Sequence, residues 1–302
     1  MAYPALQFAL PFRDIVRKAG KPHDGCVGGQ RVFTSGSAGN PFGRKRSILT
    51  VACGGIATSL LLPAAVALAE FEIPEVDAEK GAFEAEYRGA KHWGLPPGDD
   101  DENREPLRQS HELELQYGLT DWWMLRLTPN VERAAGKSVE FASLGVETQF
   151  VLVSRNEGVF GLALMAGYGP YSLFVEDGTP DEFEFGPVME VAPGPWLLTL
   201  NPRLATDVGK SAEHDGLGFE YAAQLRYDFT ERLGAAVLGF GEIEALAQTG
   251  PFESQTHVLG PSLYVSSAPE AEREWTLGAG VLFGLTEASA KTALRITLAV
   301  EY

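Results

Sequence analysis

Apolar and polar residues alternate one by one along most of this chain. HELELQYGL (111–119) sets Leu113, Leu115 and Tyr117 against Glu112, Glu114 and Gln116. LGFEYAAQLRYDF (217–229) sets Leu217, Phe219, Tyr221, Leu225, Tyr227 and Phe229 against Glu220, Gln224, Arg226 and Asp228. DEFEFGPVMEV (181–191) sets Phe183, Phe185, Met189 and Val191 against Glu182, Glu184 and Glu190. A period of two marks a strand with one apolar and one polar face, and no segment sustains a helical period. About twelve such segments are predicted, at 80–93, 107–118, 121–133, 138–152, 158–170, 180–192, 195–208, 215–228, 232–246, 254–267, 273–285 and 291–302. At about 10–15 residues each they are long for a strand in water and suit a tilted membrane-spanning one. Their spacing fits a hairpin meander and leaves no room for crossover helices.

The connections alternate in kind. Those after even-numbered strands are tight, as in GLTDWW, APGP and FTERL, whereas those after odd-numbered strands include the longer PPGDDDENREP (96–106) and SLFVEDGTPD (172–181). Short turns on one side and longer loops on the other, with an even strand count, predict a closed antiparallel up-and-down transmembrane β-barrel with both ends of the mature chain on the turn side, the periplasm. Tyr117, Trp122, Trp123, Trp196, Tyr227, Phe229, Trp275 and Tyr302 fall near the turn-side strand ends, where an interfacial girdle is expected. LQYGLTDWWMLRL and LRYDFTERLGAAV share a Tyr followed by Thr and an acid, which reads as repeated turn chemistry.

The end of the chain, ALRITLAVEY (293–302), places Leu294, Ile296, Leu298, Val300 and Tyr302 on one face and Arg295, Thr297, Ala299 and Glu301 on the other. The apolar face is expected to touch lipid. Since an open sheet edge is untenable in hydrocarbon, this last strand must pair with the first.

Charge then divides the chain. The net charge is −17, which argues against a nucleic-acid partner. Residues 1–69 carry eight Lys/Arg against two Asp/Glu, leaving a net −23 for the remainder, and both cysteines, Cys26 and Cys53, lie in the basic part. Arg44-Lys45-Arg46, an apolar run and Ala67-Leu68-Ala69 predict a signal peptide over 44–69 cleaved after Ala69. A transmembrane helix is disfavoured by Gly54, Gly55 and Pro63, and a lipoprotein at Cys53 by the poor lipobox Leu49-Thr50-Val51-Ala52. Residues 1–43 show no pattern and read as an unstructured extension or a start codon assigned too early. The barrel is assigned 70–302.

The alternating last strand with its terminal aromatic resembles the C-terminal assembly signal of bacterial outer-membrane barrel proteins, with Tyr302 where most such signals end in Phe. The resemblance implies outer-membrane lipid and the barrel assembly machinery as partners. ELELQYGLTDWW, FEFGPVMEV, THVLGPSLY and GAGVLFGLTEAS make the mature chain similar to transporter-like barrels associated with phenol meta-pathway degradation. That resemblance implies fold and location and supplies no catalytic residue.

Chemistry is sparse. An outer-membrane phospholipase needs Ser and His in hydrogen-bond reach. His92 and His214 sit at loop edges, His111 begins a strand, and Ser254 and His257 are three apart, so opposed in a strand. No G-x-S-x-G occurs, and the chain is not expected to be an enzyme. GDDDEN (98–103) lacks the alternate spacing of a calcium loop and reads as solvated; no cofactor or metal is expected. What remains is the inner face: Glu112, Glu114, Arg126, Asn130, Glu132, Glu147, Glu182, Glu184, Glu190, Asn201, Arg203, Glu220, Gln224, Arg226, Glu242, Glu244 and Arg295. Such residues tune which solute passes a barrel, and the surplus of acid disfavours anions. The leading expectation is a passive channel or uptake pore for small neutral or cationic solutes of unknown identity. The alternative is a non-conducting structural or interaction barrel closed by a Glu–Arg network.

Overall fold

The computed structural model describes residues 71–96, 107–155, 158–170, 173, 180–209, 212, 216–268 and 273–302. The expected extension, the leader with Ala67 and Ala69, the GDDDEN loop and His214 lie outside the described residues.

Twelve antiparallel strands close into a barrel in chain order. They are β1 (Phe83–Trp93), β2 (Leu107–Thr120), β3 (Trp123–Ala134), β4 (Glu140–Val153), β5 (Phe160–Gly169), β6 (Asp181–Val191), β7 (Trp196–Val208), β8 (Gly218–Thr230), β9 (Leu233–Ile243), β10 (Thr256–Ser266), β11 (Glu274–Gly284) and β12 (Thr292–Glu301). The expected strands and their order hold throughout. Closure comes from β12 against β1, in a register running from Glu84↔Glu301 to Trp93↔Thr292. Beyond the last pair, the Tyr302 amide donates to the Phe83 carbonyl at 2.9 Å. The chain's last residue is thereby tied into the seam, and the end that would ordinarily fray is held.

The turns follow from local chemistry. The connections at 121–122 and 231–232 are two residues long. In each, the hydroxyl of the preceding threonine accepts from a turn amide, Trp122 to Thr120 at 3.3 Å and Arg232 to Thr230 at 3.2 Å. The repeated Thr-acid phrase is therefore a turn device.

The alternation resolves into two faces. Leu113, Leu125, Leu127, Leu164, Phe185, Leu225, Leu263, Leu277, Ile296 and Leu298 are exposed on the outside. A continuous apolar belt on a closed barrel requires lipid around it. The turn-side aromatics gather: Trp122, Trp123 and Phe150 stack on one another, Trp196 meets Tyr227 edge-on at 4.7 Å, and Phe83 meets Tyr302 at 6.1 Å. Between the two faces runs the backbone ladder, which satisfies every strand's neighbours without an edge.

Residues 71–82 precede β1 and add a feature that alternation does not predict. Instead of forming wall, the segment runs inside the barrel. Its exit lies at the turn-side mouth, where the Gly81 amide donates to the Gly118 carbonyl at 2.8 Å and the Gly118 amide to the Ala82 carbonyl at 3.0 Å. A Cβ on Gly118 would lie 1.8 Å from the Glu79 carbonyl oxygen, so this crossing requires glycine.

Candidate functional site

The interior is built from the inward positions of the strands together with segment 71–77. Glu112, Glu114, Arg126, Asn130, Glu147, Glu182, Glu184, Glu190, Asn201, Arg203, Gln224 and Arg295 are all buried there. Glu132, Glu220, Arg226 and Glu242 are half-buried, with Glu132 accepting from Asn130 at 3.0 Å and Arg226 paired to Asp228 at 2.7 Å. Glu244 is a correction. β9 ends at Ile243, and Glu244 is exposed in the following loop rather than on the inner face. His111 is a second: it is the fifth residue of β2 and does not begin the strand, whereas His92, the penultimate residue of β1, sits at the loop edge expected of it and is buried.

Two ion-pair clusters grow from the walls. On β1–β4, Arg88 reaches Glu112 at 2.9 Å, Glu114 at 3.0 Å and Glu86 at 3.3 Å. In the same cluster Arg126 reaches Glu114 at 2.7 Å and Glu147 at 2.9 Å. On β6–β7, Arg203 pairs with Glu184 at 3.2 Å. All these partners lie on the same or a neighbouring strand, so each cluster lines its own wall. Such pairing is what lets charges survive burial, since an unpartnered one would cost several kcal/mol, on the order of 3–5.

The inner segment joins the two walls. Glu72, itself buried, places Oε1 2.7 Å from Arg126 Nη1 and Oε2 3.6 Å from Arg203 Nη1. Burial alone would raise its carboxyl, but the guanidiniums of Arg126, Arg88, Arg203 and Arg295 outweigh it and hold the group below the usual carboxylate range. The backbone of the segment is held by side chains from around the barrel. Arg295 Nε donates to the Phe71 carbonyl at 2.8 Å, Asn201 Nδ2 to the Pro74 carbonyl at 2.9 Å, and Gln149 Nε2 to the Glu75 and Asp77 carbonyls at 2.9 and 3.1 Å. Val76 packs among Ala163, Met165 and Val188. Phe71 lies between Phe240, with ring centroids 5.1 Å apart, and His92, at 5.7 Å. It adopts φ 59°, a left-handed conformation that bulky side chains rarely hold without external constraint.

The seat for Phe71 is an apolar inner wall. Ala222, Ala236, Leu238, Phe240, Val258, Leu282 and Ala293 of β8–β12 form one buried cluster against which Phe71 and Ile73 pack. The lumen thus has a charged side on β1–β4 and an apolar side on β8–β12, with the segment between.

Several participants escaped the sequence reading. Arg88 was legible, because Glu84, Glu86, Arg88, Ala90 and His92 alternate with the outward Phe83, Ala85 and Tyr87. Glu72 and Phe71 were not, since FEIPEVDAEK (71–80) carries no period of two. Among the described residues no group of three or more metal-ligating side chains is arranged to hold an ion.

No family model and no curated protein matches the chain. Among solved structures it is similar to a KdgM porin, at 11% identity over 72% of this chain and 98% of that one, TM-score 0.45. It is also similar to the outer membrane protein Omp33 of Acinetobacter baumannii, at 9% identity over 76% and 99%, TM-score 0.40. A third is OmpT, an outer membrane protein of Vibrio cholerae, at 11% identity over 75% and 99%, TM-score 0.32.

Proposed function

We propose that this chain is a channel of the bacterial outer membrane for small solutes, closed here by its own N-terminal segment. One observation carries the reading. The wall clusters around Arg88, Arg126 and Arg203 run between neighbouring strands, and Glu72 is what bridges them across the lumen. Residues 72–79 take no part in the strand ladder, so the bridge can leave without breaking the wall. A barrel closed by strand-borne side chains alone would have no such removable part.

The surplus of inner carboxylates supports passage of neutral or cationic solutes at the mouths. Both described ends of the barrel meet on the turn side, which in this reading faces the periplasm, the signal peptide having been removed after Ala69. Leu294, Ile296, Leu298, Val300 and Tyr302 would serve the barrel assembly machinery as the recognition strand, and the likeness to phenol meta-pathway barrels belongs to the same proposal. The apolar inner wall suits a role in uptake rather than catalysis.

The test is single-channel recording of refolded residues 70–302 and of the Glu72→Ala variant in planar bilayers. Stable steps, longer-lived in Glu72→Ala, support a channel with an internal plug. A folded, inserted barrel that never conducts in either form supports the second reading, a non-conducting barrel whose Glu–Arg clusters serve structure alone.

A further inference from the structure

The seat occupied by Phe71 and Glu72 has the makings of a ligand site. Its charged half offers Arg126 and Arg203, which face one carboxylate from two walls. The same region holds spare donors: Arg295 Nη1 and Arg203 Nε are buried without a hydrogen-bond partner among the described residues. A buried guanidinium N–H left unpaired is costly, and it becomes an asset when an acceptor arrives. Opposite stands the apolar wall of Leu238, Phe240, Val258, Leu282 and Ala293, at most 8% exposed. A water-filled pore lined only for ion passage has no use for a deep apolar wall, because the inner face of a conducting barrel is ordinarily polar. A ring fits against it, and the Phe71 ring is the one now there.

Resting on the channel reading, we infer that this seat binds a small monocarboxylate carrying an aromatic or bulky apolar group, and that such an acid opens the channel by displacing Phe71 and Glu72. The two side chains mimic that ligand: an aromatic ring on the apolar wall and a carboxylate between the arginines. The mimic is held imperfectly. Arg203 stands 3.6 Å from the Glu72 oxygen, beyond good hydrogen-bond length, and Phe71 pays in backbone strain for its place. A free acid carries neither constraint. A single carboxylate is specified because Glu114, Glu147 and Glu184 already neutralise much of the guanidinium charge, so a second anionic group would meet repulsion.

The probe is phenylpropionate, with its neutral analogue phenylpropanol as the control, titrated by calorimetry into the folded mature chain. In the double variant Phe71→Ala/Glu72→Ala the vacated seat is expected to bind phenylpropionate about tenfold or more tighter than phenylpropanol, the worth of a charge-assisted hydrogen bond. Adding Arg203→Gln to that background is expected to erase the preference for the acid. In bilayers, phenylpropionate is expected to lengthen the openings of the wild-type protein. Equal binding of acid and alcohol, or a preference unmoved by Arg203→Gln, overturns the site. If the double variant does not fold, Glu72→Gln keeps the side chain's shape while removing its charge; phenylpropionate must then compete more effectively than against wild type, and no gain overturns the site. Acid binding without conductance in any form would overturn the channel reading and leave the site standing. Conductance without acid binding does the reverse.

Discussion

Glu72 on the inner segment and Arg126 on β3 meet at 2.7 Å in the middle of the barrel, both buried. The contact spans 54 residues of sequence, and it converts two wall-bound charge clusters into one that crosses the lumen. Because Arg126 keeps Glu114 and Glu147 without it, the bond is a fastening that the wall does not need. Several measurable consequences follow from that asymmetry.

Neutralising the pin loosens the segment and spares the barrel. Glu72→Gln removes two charge-assisted contacts, worth about 1.5–3 kcal/mol in docking. Backbone amides of 72–79 are expected to exchange with solvent about tenfold or more faster, while those of β3 and β4 keep their protection. Hydrogen-exchange mass spectrometry reads both at once, and uniform acceleration would mean that Glu72 supports the wall itself.

The crossing at the mouth tolerates no side chain. In Gly118→Ala the new Cβ meets the Glu79 carbonyl oxygen at 1.8 Å, and because both sides are backbone the segment must move. Faster proteolysis within 71–82 with unchanged barrel stability is the expected result. A segment protected as in wild type would show that it can shift along the mouth without release.

Protons are expected to act on the segment in two windows. Glu75 is exposed within the barrel, and desolvation by the surrounding wall, followed by the Glu190 carboxylate, pushes its carboxyl up to about 7 from 4.5. Burial, and then Glu79, raise Asp77 in the same direction. A group raised on docking binds its proton more tightly when docked, so docking is favoured in acid and weakens as pH rises from 4.5 to about 7. Glu72 has the opposite sign: its contribution is present above 4.5 and is lost as pH falls through its lowered docked value. Channel open time is therefore expected to increase from about pH 5 to about pH 8, and Glu75→Gln should flatten that rise. A fall in open time over that range would contradict the assignment.

Arginines at different depths differ in what they hold. Arg88 is 3% exposed against three carboxylates, so Arg88→Gln leaves Glu112 and Glu114 buried without it, at a cost of about 3–5 kcal/mol. The Arg226–Asp228 pair is open to water, with side chains 19% and 38% exposed, and Arg226→Gln is expected to cost about 1 kcal/mol or less. Urea unfolding of the two variants in one lipid system gives the comparison; equal losses would mean that the Arg88 cluster is open to water.

Why so much of the wall was readable, and so little of its contents, is a matter of periodicity. The strand expected at 180–192 is found at Asp181–Val191 and that expected at 273–285 at Glu274–Gly284, because a barrel between lipid and polar interior imposes a period of two on every strand. Glu112, Glu147 and Arg203 could be set inward by counting alone. Glu244 failed because alternation continues past β9 while the ladder stops at Ile243. Segment 71–77 was invisible for a different reason. It has no sheet partner to impose a period, and its contacts come from strands all round the barrel, with hydrogen bonds from β3, β4, β7 and β12 and with Phe71 and Arg295 separated by 224 residues.

A reversible lock on segment 71–77 tests most directly whether it is the closing element. Beyond Ala69 the chain has no cysteine. A Cβ built on Gly161 lies 3.2 Å from Val76 Cβ, close to disulfide spacing of about 3.5–4.5 Å. Single-channel recording of the Val76→Cys/Gly161→Cys protein is expected to show no openings when oxidised and recurring openings after reduction. Openings that persist with the disulfide formed would contradict the account.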